Sequence, residues 1–124
     1  MKVLFSSIVA CAIALSLNAK TLNDNDFKTM QNELNESMMK MHGKMSAGLN
    51  EKDPDLSFVV GMLPHHEGAV DMAKIVLKYG EDESIKKLAE NIIKAQEAEI
   101  KFMQEYLDKK GYKYPENANH AGHN

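Results

Sequence analysis

The stretch between Asp53-Pro54 and Tyr79-Gly80 constrains the fold most, because it is apolar on two adjoining sides at helical spacing. Val59, Leu63, His66, Val70, Ala73 and Leu77 form one stripe; Phe58, Met62, His65, Ala69, Met72 and Val76 form a second beside it. A helix with two such stripes is wedged between two partners. Aspartate before proline reads as an N-cap with proline in the first turn, and Gly80 reads as the stop. The remaining face carries Ser57, Gly61, Pro64, Gly68 and Asp71. It is therefore expected to point outward, where the backbone hydrogen bond lost at Pro64 and its kink are tolerated. Each inward stripe then holds one histidine, His65 or His66, diverging by ~100° around the axis.

The partners lie on either side in the chain. Asp82 reads as a further N-cap, and the pattern predicts helices near 24 to 49, 54 to 79 and 83 to 110. Short loops make neighbours antiparallel, so the expected fold class is all-α, a small antiparallel helical bundle of three main helices. The domain spans 20–110, and 111–124 reads as a flexible polar tail ending in His120-Ala121-Gly122-His123. A domain this small buries only about 60–70% of its unfolded surface, so a bound metal or a second copy would add stability. The pattern is compatible with a closed monomer and with a homodimer that completes a four- or six-helix core.

Residues 1–19 set the expected compartment. Lys2 precedes an apolar run from Val3 to Leu17, and Leu17-Asn18-Ala19 ends in a small residue, as in a secretory signal peptide cleaved after Ala19. The run falls short of the ~20 apolar residues of a membrane span. Ile8-Val9-Ala10-Cys11 loosely resembles a lipoprotein box, but the apolar run continues six residues past Cys11, which is wrong for lipidation. Cleavage would leave no cysteine in the mature chain. The whole chain carries 15 lysines and 18 acidic residues for a net charge of −3, and loss of Lys2 makes it one unit more acidic. Such a surface lacks the basic footprint of a nucleic-acid binder. The expected location is periplasmic.

Methionine carries the chemistry. Met38-Met39-Lys40-Met41-His42-Gly43-Lys44-Met45 packs four thioethers and an imidazole into eight residues, and Met62-Leu63-Pro64-His65-His66 repeats the pairing. A thioether is soft, neutral and needs no deprotonation, so with imidazole it suits Cu(I) or Ag(I). In an oxidising compartment it also survives where thiolates are drawn into disulfides. Met30 reads as core filler. His120 and His123 are potential ligands for Cu(II), Ni(II) or Zn(II), at an entropic cost for a mobile tail.

In an antiparallel hairpin, facing residue numbers have a nearly constant sum set by the turn. The first turn sets Met38, Met41 and His42 across from His65, Met62 and Gly61. The second sets Gln96, Glu99 and Met103 across from His66, Leu63 and Val59. The expected site residues therefore gather within about a turn, ~5 Å. The metal ligands are Met38, Met41, His42, Met45, Met62, His65, His66 and Met103, with Met72 about two turns from His65 and lining a second site or the core. Gln96 and Glu99 are expected to orient imidazoles by hydrogen bonds.

Met62-x-x-His65-His66-x-x-Ala69-x-x-Met72-Ala73, Leu88-Ala89 and Gln96-x-x-Glu99-Ile100-x-x-Met103 together resemble the signature of the family catalogued as domain of unknown function 305. The resemblance implies a ferritin-like helical fold. It also implies a role like that of its secreted copper-binding members of the CopM type, carried here by Met62, His65, His66, Met72, Gln96, Glu99 and Met103.

Three functions fit the residues. The first is a Cu(I)- or Ag(I)-binding protein without enzymatic turnover that buffers copper or delivers it to a periplasmic transporter or cuproprotein. The second is a bundle holding b-type haem between Met and His; covalent haem is excluded by the lack of Cys-x-x-Cys-His. The third is a metal-free helical adaptor or dimer. A ferritin-type di-iron centre wants Glu-x-x-His twice, and the residues three before His42 and His65 are Met39 and Met62.

Overall fold

The computed structural model describes residues 21–119. The expected leader, His120 and His123 lie outside them. The order is α1 (Asp24–Met45), a 3-10 turn (Ser46–Asn50), α2 (Pro54–Tyr79), α3 (Glu83–Lys110) and a second 3-10 turn (Glu116–Asn119). There are three long helices and, among the described residues, no strand.

Each helix begins on a side chain that answers its unpaired N–H groups. Asn23 accepts from the Asp26 N–H at 2.9 Å. Asp53 accepts from Asp55 at 3.0 Å and Leu56 at 3.4 Å, and Asp82 from Ser84 at 2.8 Å and Ile85 at 3.2 Å. The Leu56 and Asp55 N–H groups hold the Asp53 carboxyl below its ordinary range. The Ser84 hydroxyl, then the Ile85 and Ser84 N–H groups, do the same for Asp82. α3 ends on Gly111 at φ 66°, the left-handed conformation that glycine adopts without a Cβ penalty.

α2 lies in the middle. α1 and α3 both pack on it and hardly on each other. The buried core gathers Ala47, Val59, Val60, Leu63, Met103 and Leu107 near one end.

The orientation of α2 corrects the sequence expectation. Pro64 is fully buried, and Gly68 is buried beside it. The Ser57-Gly61-Pro64-Gly68 face receives α1 and the first 3-10 turn because its small side chains let backbones approach closely. A methyl group at Gly48 would lie 2.8 Å from the Ser57 carbonyl oxygen, and one at Gly68 would lie 2.6 Å from the Met41 sulfur. The Ser57 hydroxyl donates to the Gly48 carbonyl at 2.8 Å. The stripe left outside is the second apolar one: Phe58 is 61% exposed, Met72 48%, and His65 is exposed too.

Burying a helical proline creates a debt at the preceding turn. Pro64 has no N–H for the carbonyl of Val60, four residues before it, and Val60 is wholly buried. The Tyr114 hydroxyl donates to that carbonyl at 2.7 Å. The segment expected to be flexible from Gly111 is therefore packed through Ala118, which is 5% exposed. Tyr112 meets Tyr114 edge-on at 5.3 Å, and Lys44 lies over the Tyr114 ring. The second 3-10 turn packs on α1.

α1 also ends earlier than expected, at Met45 rather than 49, because Ser46–Asn50 tightens into the 3-10 turn. That turn rises ~2.0 Å per residue instead of ~1.5 Å, which accounts for part of a changed register. Met41 packs on Gly68, not across from Met62, and the Met45 carbonyl lies beside Gly61. At the far end Lys78 and Tyr79 both bond the Glu33 carboxylate.

Two predictions follow from these contacts. Tyr114→Phe should cost about 1–3 kcal/mol in urea unfolding by orphaning a buried carbonyl, and Pro64→Ala, which restores an N–H, should remove most of that cost in a double-mutant cycle. Burial pushes the Tyr114 phenol up, so this stabilisation is complete below the ordinary value of ~10 and fades as pH rises through the folded one. Asp53 and Asp82 behave oppositely: their lowered carboxyls stabilise the fold above the ordinary carboxylate value and lose that effect as pH falls through the folded one. Asp53→Asn with Asp82→Asn, which keeps the caps, should flatten the acid limb of a thermal-melt series.

Candidate metal centre

With the small-residue face of α2 turned to α1, the exposed stripe of α2 forms a ridge with a groove on either side. The groove toward α1 has a volume of about 290 Å³ and is lined by Met45, Leu49, Phe58, Met62 and His65 with Gly48, Ser57 and Gly61. The groove toward α3 has a volume of about 420 Å³ and is lined by Phe58, Val59, Met62, His66, Glu99 and Met103 with Ala98 and Phe102. Met62 lines both. Glu99 is the single carboxylate in either lining, and no lysine is present. The charges lie on the other side of the α1–α2 seam, where Lys40, Lys44, Glu67 and Asp71 gather.

The two histidines differ. His66 is clamped: Nδ1 lies 3.0 Å from the Met62 carbonyl oxygen and Nε2 2.7 Å from the Glu99 carboxylate. A carbonyl can only accept, so Nδ1 carries the hydrogen of the neutral ring and the Nε2 lone pair faces the carboxylate. That pairing is satisfied when a proton or another cation stands at Nε2. His65 is exposed, makes no hydrogen bond among the described residues, and meets the His66 ring edge-on at 6.0 Å.

Met45, Met62 and His65 are brought together, as are Met62, His66, Glu99 and Met103, the last 5% exposed. The observed register sets His42 level with His65 and Met38 level with Ala69 and Met72, within about a turn. His42 and Met38 share the α1 stripe of Met45 but are exposed, Met38 to 44%. Met41 is set apart, its sulfur filling the space over Gly68 on the charged side of the seam. Met72 is exposed beyond both grooves. Gln96 does not take up the expected role, since its Oε1 is buried without a hydrogen-bond partner, and Glu99 alone orients an imidazole.

Sequence reasoning missed Leu49, Phe58 and Phe102 as groove walls. For Phe58 the signal was the second stripe itself, once the face of Ser57, Gly61, Pro64 and Gly68 is recognised as a close-packing surface. Among the described residues no group of three or more His, Cys, Asp or Glu is placed to hold a metal ion. The grouped donors here are thioethers with imidazole.

Fold and site together define an all-α protein with a central helix presenting Met and His along one open side. The chain belongs to the family described as a domain of unknown function, DUF305, whose pattern matches residues 15–107 and again 55–124. It is also similar to the uncharacterized protein L153 of Acanthamoeba polyphaga mimivirus, 39% identical over 56 residues. That stretch is 45% of this chain and 37% of the viral protein, so the chain spans well under half of that relative's length.

The clamp on His66 is testable with diethyl pyrocarbonate. His65 should be modified before His66, and Glu99→Ala should speed modification of His66 several-fold while leaving His65 unchanged, as read by peptide mass spectrometry.

Proposed function

We propose that this chain binds Cu(I), or Ag(I) in its place, through methionine and histidine side chains, and buffers or delivers copper in the periplasm without turning over a substrate. The observation that carries this reading is the grouping around Met62, where Met45 and His65 on one flank and His66 and Met103 on the other line two grooves with almost no charge. Neutral sulfur and nitrogen donors suit a monovalent soft ion, whereas a hard divalent ion would call for the carboxylates that are nearly lacking here. The Nε2 lone pair of His66, aimed at Glu99, fits a cation as well as it fits a proton. Glu99 is 68% exposed in its side chain and free to swing aside when one arrives.

Met62 is the shared donor in this reading. Met45 and His65 would complete one approach to the ion, His66 and Met103 the other. Met38 and His42, on the exposed stripe of α1, suit capture or hand-over to a transporter or cuproprotein. A bound thioether set would hold copper in its reduced state.

The test is a competition titration of Cu(I) against a chromogenic chelator. Met62→Leu nearly conserves volume, and it should weaken binding by at least the ~10–100-fold typical of losing a supporting group at a metal site. His65→Ala with His66→Ala should do the same, and Met30→Leu should have no effect. Equal affinities in all three would overturn the reading.

A further inference from the structure

We propose that a second copy of this chain covers the open face, with α2 antiparallel to α2 of the partner about a twofold axis between His65 and Ala69, so that Met72 of each copy joins Met62 and His65 of the other. The shared-site half rests on the function proposed above; the dimer half does not.

The exposed stripe has the spacing of a helix-pairing seam. Phe58, Met62, His65, Ala69, Met72 and Val76 are separated by four, three, four, three and four residues, the a/d alternation of a coiled coil sustained over most of α2. It contains no acidic residue and no lysine, in a chain that is 27% charged. Among the described residues Phe58, His65 and Met72 of this stripe are exposed and Met62, Ala69 and Val76 half-buried, while the C-terminal segment closes the opposite side through Tyr114 and the second 3-10 turn. All three phenylalanines of the described residues are at least half exposed: Phe27 at 50%, Phe58 at 61% and Phe102 at 66%. By helical spacing Phe27 shares the α1 stripe of Met45, and Leu88, 54% exposed, lies two heptads before Phe102. Exposed apolar side chains therefore stand on all three helices.

Its size suits a stable dimer. The seam from Phe58 to Val76 is ~27 Å long and three helices side by side are ~25–30 Å wide, so two copies would bury ~1,500 Å², within the ~1,200–2,000 Å² of specific interfaces.

The spacing also selects the direction. Read backwards it is the same, so an antiparallel partner sets every a position against a d position. Phe58 then faces Val76 and His65 faces Ala69, pairing large with small, while Met62 faces Met72. A parallel partner would set Phe58 on Phe58 and Ala69 on Ala69, leaving a clash and a hole. The antiparallel arrangement also opposes the helix dipoles. Within one chain Met72 stands ~15 Å along the axis from Met62; across the twofold axis the two share a level, one turn from His65.

The experiment uses the full chain carrying Cys11→Ser, without metal. Sedimentation equilibrium should give a dimer. Mild oxidation of the Met62→Cys/Met72→Cys variant should give a disulfide-linked dimer, and neither single variant should cross-link, since like positions lie ~15 Å apart along an antiparallel seam. Ala69→Glu should weaken dimerisation at least ~100-fold, because the longer side chain overfills the small position opposite His65 of the other copy and two carboxylates are desolvated in the seam, with helical circular dichroism unchanged; if that variant fails to fold, the cysteine pair still decides. A monomer, single-cysteine cross-links as efficient as the double, or a folded Ala69→Glu dimer would overturn the interface. With Cu(I), Met72→Leu should remain dimeric and lose at least ~10-fold in affinity. Wild-type affinity in that variant would overturn the shared site and leave the dimer standing, and failure of Met62→Leu to weaken binding would overturn the metal reading and the shared site with it, again leaving the dimer.

Discussion

One carbonyl organises much of this fold. Pro64 sits in the interior of α2, fully buried, and cannot give Val60 the hydrogen bond its carbonyl would otherwise receive. A buried carbonyl without a partner is costly. The Tyr114 hydroxyl meets that need from 54 residues further along the chain. To do so, the segment after α3 must turn at Gly111 and cross the side of α2 that carries Val60, where Tyr112, Tyr114 and Ala118 add to the core. One side of the three-helix layer is thereby closed and the other is left open.

Closure on that side sets what the open side contains. α1 is seated on the small-residue face, so the α2 residues next around the helix, Phe58, His65 and Met72, face out and Met62 is left half-buried. His66, one position on, turns toward α3 and meets Glu99. The same rotation that exposes one histidine clamps its neighbour. Met62 lies between them at the crest, which is why a single thioether reaches both grooves.

Much of the fold was legible because it depends on local signals. Asp53-Pro54, Gly80 and Asp82 mark helix ends by hydrogen-bonding capacity and φ restriction, properties of the residues themselves, and α2 and α3 have the predicted bounds. The α2–α3 register was also readable to within a turn: Glu99 was expected opposite Leu63 and meets His66. The α1 side was not. Apolar periodicity measures transfer from water, and on that measure Ser57, Gly61, Pro64 and Gly68 look like a solvent face. Their contribution is shape, since missing side chains let Gly48 and Met41 approach. The part Tyr114 plays was invisible for another reason, because no pattern near residue 114 refers to residue 60. Part of the shift that moved Met41 from Met62 to Gly68 arose in a 3-10 turn that reads in sequence as more helix.

A site built on neutral donors has a structural requirement that a carboxylate site lacks. Thioethers do not repel one another and need no counter-charge, so they can be grouped on an apolar face at little electrostatic cost. For the same reason no field holds them in place, and methionine is the most flexible of the apolar side chains. Order must come from packing around the sulfurs. Met103, at 5% exposure, has it already; Met38 and Met72, nearly half exposed, do not. The donors left loose lie on a face that no described residue caps, so a partner on that face would also fix their geometry, and in the proposed metal site its docking and ion binding would be coupled.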